Sequence, residues 1–251
     1  MNKKICIVTF IFLLISSCMA CSEKSLNIEV ESTYENMELN VSDDDSAFEN
    51  NTVVKVIDTV EFFAAINQSV ENVAPNVNID DCDTFTKIID KKLEDGMGWT
   101  NEDFGDTSVL MVCSGTYDNL DGNMASIDAT IYIYKDAVPT ELGKICSGGT
   151  AYPLAKNDVY LYTASNYWIC KNIVTEDGIQ IIEGVMVEYD STGKETYYYA
   201  SQEGGDSSEI GQTEIEEIFN NLYEEMGNAK VLSFDIIQRY GNSASTAYVF
   251  R

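Results

Sequence analysis

Apolar and polar residues alternate along most of the stretch from residue 107 to residue 203. The clearest run is 125–134, where Ala and Ile alternate with Ser, Asp, Thr and Tyr. A period of two gives a strand one apolar and one polar face. The joins between runs, such as Glu176–Gly178 and Asp190–Gly193, have the composition of turns. The pattern predicts an antiparallel β-meander over 107–203 with about six to eight strands.

Apolar residues at helical spacing occur before this stretch. A short strand is predicted at Val53–Ile57, and a helix follows it from Asp58. The apolar face predicted for this helix comprises Val60, Phe63, Ala64 and Ile66. A second helix is predicted with Asp83 or Thr84 as its cap, and Gly96 and Gly98 are predicted to stop it.

The strongest helical pattern lies near the C-terminus, between Thr213 and Gly227. Thr213 and Glu216 have the spacing of a capping box. The apolar stripe comprises Ile215, Ile218, Phe219, Leu222, Tyr223 and Met226. Residues 231–240 are predicted to add an edge strand. We therefore expect an α+β fold in which the meander is packed by about one to three helices.

The patterns divide the chain into five segments. They are a signal peptide (1–17), an acidic flexible tether (18–52), a mixed helical part (53–106), the antiparallel sheet (107–203) and a C-terminal helix and tail (204–251). The tether follows from composition, because Ser, Asn, Asp and Glu dominate it and few large apolar residues could be buried. The segments after the tether are expected to form one domain.

The N-terminus has the organisation of an export signal. Two lysines precede the apolar run Ile5–Ile15, which is too short to span a bilayer. The run ends in Ile-Ser-Ser-Cys, and here the sequence resembles a bacterial lipoprotein signal. The resemblance implies cleavage before Cys18 and lipidation of that cysteine, with Cys21 as the alternative acceptor. A plain secretory signal cleaved after Ala20 is the other interpretation.

Two short segments of the meander resemble each other. Cys113–Tyr117 and Cys146–Tyr152 share the order Cys, Ser, Gly, Thr, Tyr, which is consistent with a duplicated strand–turn unit or with coincidence. Together with the turn Gly149–Pro153, the alternating stretch is similar to uncharacterised exported proteins of Gram-positive bacteria. That resemblance implies no activity.

The charge and the missing histidine exclude several functions. The chain has 42 Asp and Glu against 15 Lys and Arg, a formal net charge of −27, and no His. Such a surface repels nucleic acids and anionic lipids, so we expect membrane contact only through the lipid anchor. Without imidazole, a Ser-His-Asp triad, a Cys-His pair and His-ligated metal sites are excluded.

Calcium is the one cofactor that the sequence leaves open. Asp118, Asp121 and Asp128 surround a turn whose composition resembles a calcium loop. Alignment on Gly122 puts Tyr117 where the first carboxylate is needed, so the EF-hand pattern fails. A hairpin turn explains the same residues, and we therefore predict no resident metal.

Four cysteines fall within the expected domain: Cys82, Cys113, Cys146 and Cys170. In an exported protein they allow three disulfide pairings, and a buried thiol at Cys113 is the alternative. They lack the closely paired spacing of a zinc site.

Two further kinds of site are weighed. Asp128 and Glu183 lie within predicted strands and could serve a carboxylate-based glycan hydrolase, or could face solvent on the polar side. Trp168, Tyr160, Tyr162 and Tyr198 are candidates for an aromatic surface that stacks on a ligand.

The sequence thus favours an exported protein held by lipid on the outer face of the cell membrane. Its most economical role is a non-enzymatic module that binds an extracellular ligand or protein, carbohydrate being one option. An extracellular glycan hydrolase and an envelope structural protein are the alternatives.

Overall fold

The computed structural model describes residues 52–69, 73–120, 122–204 and 210–239. The predicted signal peptide, Cys18, Cys21, almost all of the predicted tether and Asp121 lie outside these residues. The described part belongs to one compact unit. None of its helices has both the length and the apolar content needed to cross a membrane.

The described residues contain three helices and fourteen strands. The helices are α1 (Thr59–Ser69), α2 (Phe85–Lys92) and α3 (Gln212–Asn228). The strands are β1 (Val53–Val56), β2 (Gly98–Phe104), β3 (Thr107–Cys113), β4 (Tyr117–Asp118), β5 (Met124–Ala125), β6 (Asp128–Lys135), β7 (Val138–Cys146), β8 (Ala155–Lys156), β9 (Tyr160–Ala164), β10 (Trp168–Thr175), β11 (Gly178–Tyr189), β12 (Glu195–Ser201), β13 (Lys230–Val231) and β14 (Asp235–Ile236). The predicted α+β fold with an antiparallel meander is confirmed.

The strands form two main sheets and one short pair. Seven strands are ordered β1-β12-β11-β10-β9-β8-β13, five are ordered β14-β2-β3-β6-β7, and β4 pairs with β5. Consecutive strands are antiparallel neighbours through most of both sheets. The exception is β1, which pairs with β12 in parallel and so adds the first described strand beside the last strand of the meander.

The two main sheets pack against each other through apolar side chains. Val109, Met111 and Ile131 from the five-stranded sheet meet Leu161 and Val174 from the seven-stranded sheet. All five are buried. The apolar face of β3 therefore packs against the second sheet.

Each helix covers one sheet face. Apolar side chains of α3, including Ile215 and Leu222, pack on the face of the seven-stranded sheet that carries Val185. On the opposite face of this sheet, α1 packs through Phe62 and Ile66. The helix α2 packs on the outer face of the five-stranded sheet. The order of layers is thus α3, the seven-stranded sheet, the five-stranded sheet and α2. The helix α1 lies on the face of the seven-stranded sheet that is opposite α3.

The polar face predicted for β6 does not face solvent. Asp128, Thr130 and Tyr132 are each at most 1% exposed, because α2 and the segment before it cover them. The Thr130 hydroxyl donates a hydrogen bond of 2.6 Å to the Pro75 carbonyl oxygen. The prediction failed because periodicity distinguishes two faces but does not say which one another element will cover.

Two helix predictions need correction. Phe62 and Ile66 form the buried stripe of α1, whereas Val60 is 78% exposed, so the predicted face was rotated. The Asp58 carboxylate caps α1 as predicted, accepting hydrogen bonds from the backbone of Val60 and Glu61 at 2.9 and 2.8 Å. The capping box at Thr213 was wrong, since α3 already includes Gln212 and its N-cap Gly211 makes no side-chain bond.

Four strands lie where the sequence analysis predicted other structure or a different length. β2 precedes residue 107 and β7 follows β6 directly, and neither shows a clean period of two. In β7 the period is interrupted by a bulge that faces the Ile131/Tyr132 step of β6, and Pro139 lies near its start. The predicted edge strand at 231–240 is instead the pair β13 and β14, each of which extends a different sheet.

Candidate functional site

A cleft of about 630 Å³ opens at the end of the seven-stranded sheet. Three separate segments form it: the loop after β7, the turn between β9 and β10, and the end of β11. Its lining residues are Gly148, Ser165, Asn166, Tyr167, Trp168, Met186, Val187, Glu188 and Tyr189.

Backbone hydrogen bonds fix the turn that carries the cleft's aromatic residues. The Ser165 N–H donates to the Trp168 carbonyl oxygen at 2.8 Å, which closes the turn. The Tyr167 N–H donates to the Ser165 hydroxyl oxygen at 3.0 Å. The Val187 N–H donates to the Tyr167 carbonyl oxygen at 2.8 Å and ties the turn to β11. The turn therefore has little freedom to change shape when a ligand enters.

The loop after β7 approaches this turn so closely that a side chain would not fit. The Gly148 N–H donates to the Ala164 carbonyl oxygen at 2.8 Å, and the Ala164 N–H donates to the Ser147 hydroxyl oxygen at 3.2 Å. A Cβ atom built on Gly148 would lie 2.4 Å from the Ser165 Cβ. Glycine at this position is what allows the loop and the turn to meet.

The helix α3 supports the same turn from behind through Tyr223. The Tyr223 hydroxyl donates to the carbonyl oxygens of Ser165 and Trp168, the latter at 3.1 Å. Burial raises the pKa of this hydroxyl, so it remains a donor at every physiological pH. The nearby Tyr152 hydroxyl donates to the Asn166 Oδ1 at 2.9 Å, which orients the amide.

Two tyrosines present their rings to solvent at the cleft. Tyr167, on the turn, is 56% exposed, and Tyr189, at the end of β11, is 53% exposed. Their ring centroids are 6.2 Å apart and their planes are inclined at 68°. The Trp168 indole also lines the cleft but is only 2% exposed, because most of it packs against the α1 layer.

The electrostatic environment of the cleft is negative. Glu188 is its only lining carboxylate, and no Lys or Arg is among the lining residues. The Tyr198 hydroxyl donates to Glu188 Oε2 at 2.9 Å. Lys55 lies beyond it, with Nζ 4.9 Å from the centre of the Tyr198 ring. Incomplete hydration and the neighbouring Glu195 carboxylate raise the pKa of Tyr189, which shows that a second acidic group lies beside the cleft.

The four aromatic residues predicted to form one surface lie on different faces. Trp168 lines the cleft, and Tyr198 reaches it only through Glu188. Tyr160 packs under the Lys171 ammonium, with Nζ 4.5 Å from its ring centre. Tyr162 is fully buried, and its hydroxyl donates to Glu225 at 3.0 Å. The structure thus separates Tyr160 and Tyr162 from the cleft, so the predicted grouping was wrong.

Sequence reasoning did not single out Tyr167 and Tyr189, the two tyrosines that the cleft does expose. A signal was available, since Tyr167 follows the Ser165–Asn166 turn and Tyr189 precedes the Asp190 turn. Aromatic residues at strand ends beside turns are less easily covered than those in strand centres. The loop segment with Gly148 could not have been found, because only the fold brings it to the turn.

The three aspartates considered for calcium do not form a described site. Asp118 is exposed and accepts a hydrogen bond of 2.9 Å from the Leu120 N–H. Asp128 is 1% exposed, and its two oxygens accept hydrogen bonds from the Ser114 N–H at 2.8 Å and hydroxyl at 2.6 Å. Burial raises the pKa of Asp128. Among the described residues, no three acidic or cysteine side chains are grouped to hold a metal ion.

The carboxylates considered for hydrolysis lie in different sheets. Asp128 is the first residue of β6 in the five-stranded sheet, and Glu183 lies in β11 of the seven-stranded sheet. Glu183 accepts a hydrogen bond of 2.9 Å from the Tyr199 hydroxyl. The expectation that Asp128 faces solvent was wrong, because Ser114 and the covering segment enclose it.

The four described cysteines are not joined by disulfides. Cys82, Cys113 and Cys170 are at most 4% exposed, and Cys146 is half-buried. Burial raises the pKa of the Cys113 thiol to about 11 and also raises the pKa of Cys170 and Cys146. All three thiols are therefore protonated at neutral pH, which makes them poor nucleophiles.

The fold and the cleft define an α+β protein with two packed antiparallel sheets and a rigid, aromatic, acidic cleft at one sheet end. Comparison with known proteins adds nothing to this class: no protein-family model matches the chain, and no curated protein or solved structure matches it either.

Proposed function

We propose that this chain is an exported, lipid-anchored protein of the outer cell surface, and that its domain binds an extracellular ligand in the cleft between Tyr167 and Tyr189. The observation that carries the proposal is a pair of half-exposed tyrosine rings: Tyr167 lies on a turn held by backbone and side-chain hydrogen bonds, and Tyr189 lies at the end of β11. Exposed aromatic residues on a rigid support are characteristic of binding surfaces.

The dimensions of the cleft support a ligand of small-molecule size. A volume of about 630 Å³ lies within the range of about 300–1,000 Å³ that is typical of ligand pockets. The wall contains apolar groups from Trp168, Met186 and Val187, and polar groups from Ser165, Asn166 and Glu188. A mostly apolar wall with a few fixed polar groups can provide both affinity and orientation.

Binding explains the cleft better than hydrolysis does. Carboxylate-based glycan hydrolysis needs two carboxyl groups about 5–10 Å apart on either side of the bond that is broken. Glu188 is the only carboxylate among the lining residues. It accepts a hydrogen bond from the Tyr198 hydroxyl at 2.9 Å, and the lining residues supply no second carboxylate to act with it.

The location rests on the sequence. The apolar run Ile5–Ile15, the following Cys18 and the net charge of −27 support export, lipidation at Cys18 and a body that stays in water. Labelling cells with a radioactive fatty acid tests this part. We expect label on the wild-type chain and loss of label in Cys18→Ala, whereas Cys21→Ala should keep it.

Tryptophan fluorescence tests the binding site directly. The chain has two tryptophans, Trp99 and Trp168, so Trp99→Phe leaves the cleft-lining indole as the only tryptophan. The full-length chain in a non-ionic detergent is titrated with cell-wall oligosaccharides, neutral sugars and amines. We expect at least one class to change the Trp168 emission with saturation. The matched variant Trp168→Phe, which keeps only Trp99, should show no change.

A second variant decides whether the cleft is responsible. Tyr167→Ala combined with Tyr189→Ala in the Trp99→Phe background should abolish the response, while circular dichroism stays unchanged because both rings are exposed. A response that survives this double change places the ligand elsewhere. The absence of any response across the ligand classes would also refute the proposal.

A further inference from the structure

We infer that the ligand of the cleft carries a methylated ammonium group, of the kind found in choline. This inference rests on the proposed function and goes beyond it by naming the ligand class. It follows from three observations on the cleft: the arrangement of the rings, the sign of the surrounding charges and the internal hydrogen bonds of its polar groups.

The two tyrosine rings are arranged to surround a rounded cation. Their planes are inclined at 68° with centroids 6.2 Å apart, so one ring presents its edge to the other, and both residues line the cleft. A cation is attracted to the negative face of an aromatic ring within about 6 Å of its centre. Methylated ammonium ions are recognised in this way because their charge is spread over apolar methyl groups.

The charges around the cleft have the sign that a cation needs. Glu188 lines the cleft and Glu195 lies beside the Tyr189 hydroxyl. Lys55, near Glu188, already lies over the Tyr198 ring, with its Nζ 3.4 Å from the Tyr198 hydroxyl. Since the lining residues include no Lys or Arg, a phosphate or carboxylate ligand would lack a charged partner there.

One oxygen atom on each of three polar side chains of the cleft already accepts a hydrogen bond from the protein. The Ser165 hydroxyl accepts from the Tyr167 N–H, the Asn166 Oδ1 accepts from Tyr152, and Glu188 accepts from Tyr198. A sugar has many hydroxyl groups, and each of them needs a partner when it is buried. A quaternary ammonium group such as that of choline has no N–H and so donates no hydrogen bond. It needs only aromatic faces and nearby negative charge. The cleft therefore suits a quaternary ammonium group better than it suits a sugar.

The test compares choline with its neutral analogue 3,3-dimethylbutan-1-ol, which has the same shape but a carbon atom in place of nitrogen. Both are titrated into the full-length Trp99→Phe chain while Trp168 emission is followed. We expect choline to bind at least about ten-fold more tightly than the neutral analogue, because two rings and one carboxylate act on the charge. Equal affinities, or no binding of choline, overturn the inference.

Variants separate the contribution of the rings from that of the carboxylate. Tyr189→Phe should keep choline binding, since the ring is retained, whereas Tyr189→Leu should weaken it about ten-fold. Glu188→Gln should weaken it several-fold, while Glu176→Gln, an exposed residue at the opposite end of β10, should have no effect. Retained binding in Tyr189→Leu, or an equal effect of the two glutamate changes, contradicts the inference.

Two further outcomes distinguish this inference from the function on which it rests. If a neutral oligosaccharide binds and depends on Tyr167 and Tyr189 while choline does not, the cleft is a binding site and only the ligand class is wrong. If choline binds but binding survives loss of both rings, both proposals fail. Phosphocholine should bind more weakly than choline, because Glu188 repels the phosphate; tighter binding would assign the site to a phosphorylated headgroup and overturn the inference.

Discussion

Replacing Gly148 by alanine tests whether the cleft depends on the close approach of its loop and turn. The new Cβ would lie 2.4 Å from the Ser165 Cβ and 3.2 Å from the Ser165 Cα. Ordinary contact begins near 3.4 Å, so the loop and turn must separate by about 1 Å. Because the atoms in contact are attached directly to the two backbones, no side-chain rotation can relieve the contact.

The expected loss of stability follows from two effects. Overpacking of this kind costs about 1–3 kcal/mol. Separation also weakens the hydrogen bond from the Gly148 N–H to Ala164, which contributes about 0.5–1.5 kcal/mol. We therefore expect Gly148→Ala to lower the free energy of unfolding by about 2–3 kcal/mol. With an m-value of about 2–3 kcal/mol/M, the urea midpoint should fall by about 1 M.

Urea unfolding followed by circular dichroism measures this change in the full-length chain. Gly227→Ala is the control, because a Cβ there meets nothing within 4 Å and alanine favours the helix by up to about 1 kcal/mol. Ser165→Gly alone should cost about 1 kcal/mol, since the Tyr167 N–H loses its hydroxyl acceptor. In the Gly148→Ala background, Ser165→Gly removes the Cβ that the new alanine would contact. The double variant should therefore be more stable than the sum of the two single-variant losses predicts.

The same variant should affect binding, because a displacement of about 1 Å moves Tyr167 and Trp168 together. If Gly148→Ala leaves both the urea midpoint and the Trp168 response unchanged, the loop does not support the cleft as described. Strict additivity of Gly148→Ala and Ser165→Gly would refute the proposed contact between the two positions.

Three other predictions concern the stability and chemistry of the domain. Lys156 Nζ lies 3.0 Å from Glu102 Oε2 with both side chains largely buried, so Lys156→Met should lower the free energy of unfolding by about 2–3 kcal/mol in urea; an unchanged midpoint would contradict a role for the pair. Burial raises the pKa of Asp128 above its ordinary value of 3.8. The stability that the protonated carboxyl contributes should therefore be lost as pH rises from 3.8 through the folded pKa. Asp128→Asn should abolish that loss, and parallel stability–pH curves for the two proteins would refute the reasoning. In the native protein, iodoacetamide followed by mass spectrometry should modify half-buried Cys146 before Cys170, which is 2% exposed; equal rates would show that the core opens readily.

Local sequence patterns were sufficient for the elements whose burial follows a simple period. The strands from β9 to β12 are joined by short turns of characteristic composition, and the apolar stripe of α3 repeats at helical spacing. Such signals act between residues close in the chain, and they predicted α3 nearly to its ends and the turns on either side of β11. They failed at β2 and β7, where polar residues or a bulge interrupt the alternation.

The candidate site could be predicted only in part. Trp168 was singled out from its residue type, but Tyr160 and Tyr162 were grouped with it although they lie apart in the structure. Position along a strand gives the face of a side chain, not the distance to side chains on other strands. Tyr167 and Tyr189 become neighbours because β10 and β11 pair in register, which is a property of the sheet.

The sequence by itself determined the α+β class, the order of most strands and the acidic character of the surface, because these depend on composition and short-range periodicity. Only the tertiary structure decided which sheet faces are covered, so that Asp128 is buried, and which distant segments meet, so that Gly148 touches Ser165. The physical reason is that the hydrophobic effect is not directional, so any apolar element can cover a sheet face. Which element covers it depends on contacts between segments far apart in the chain.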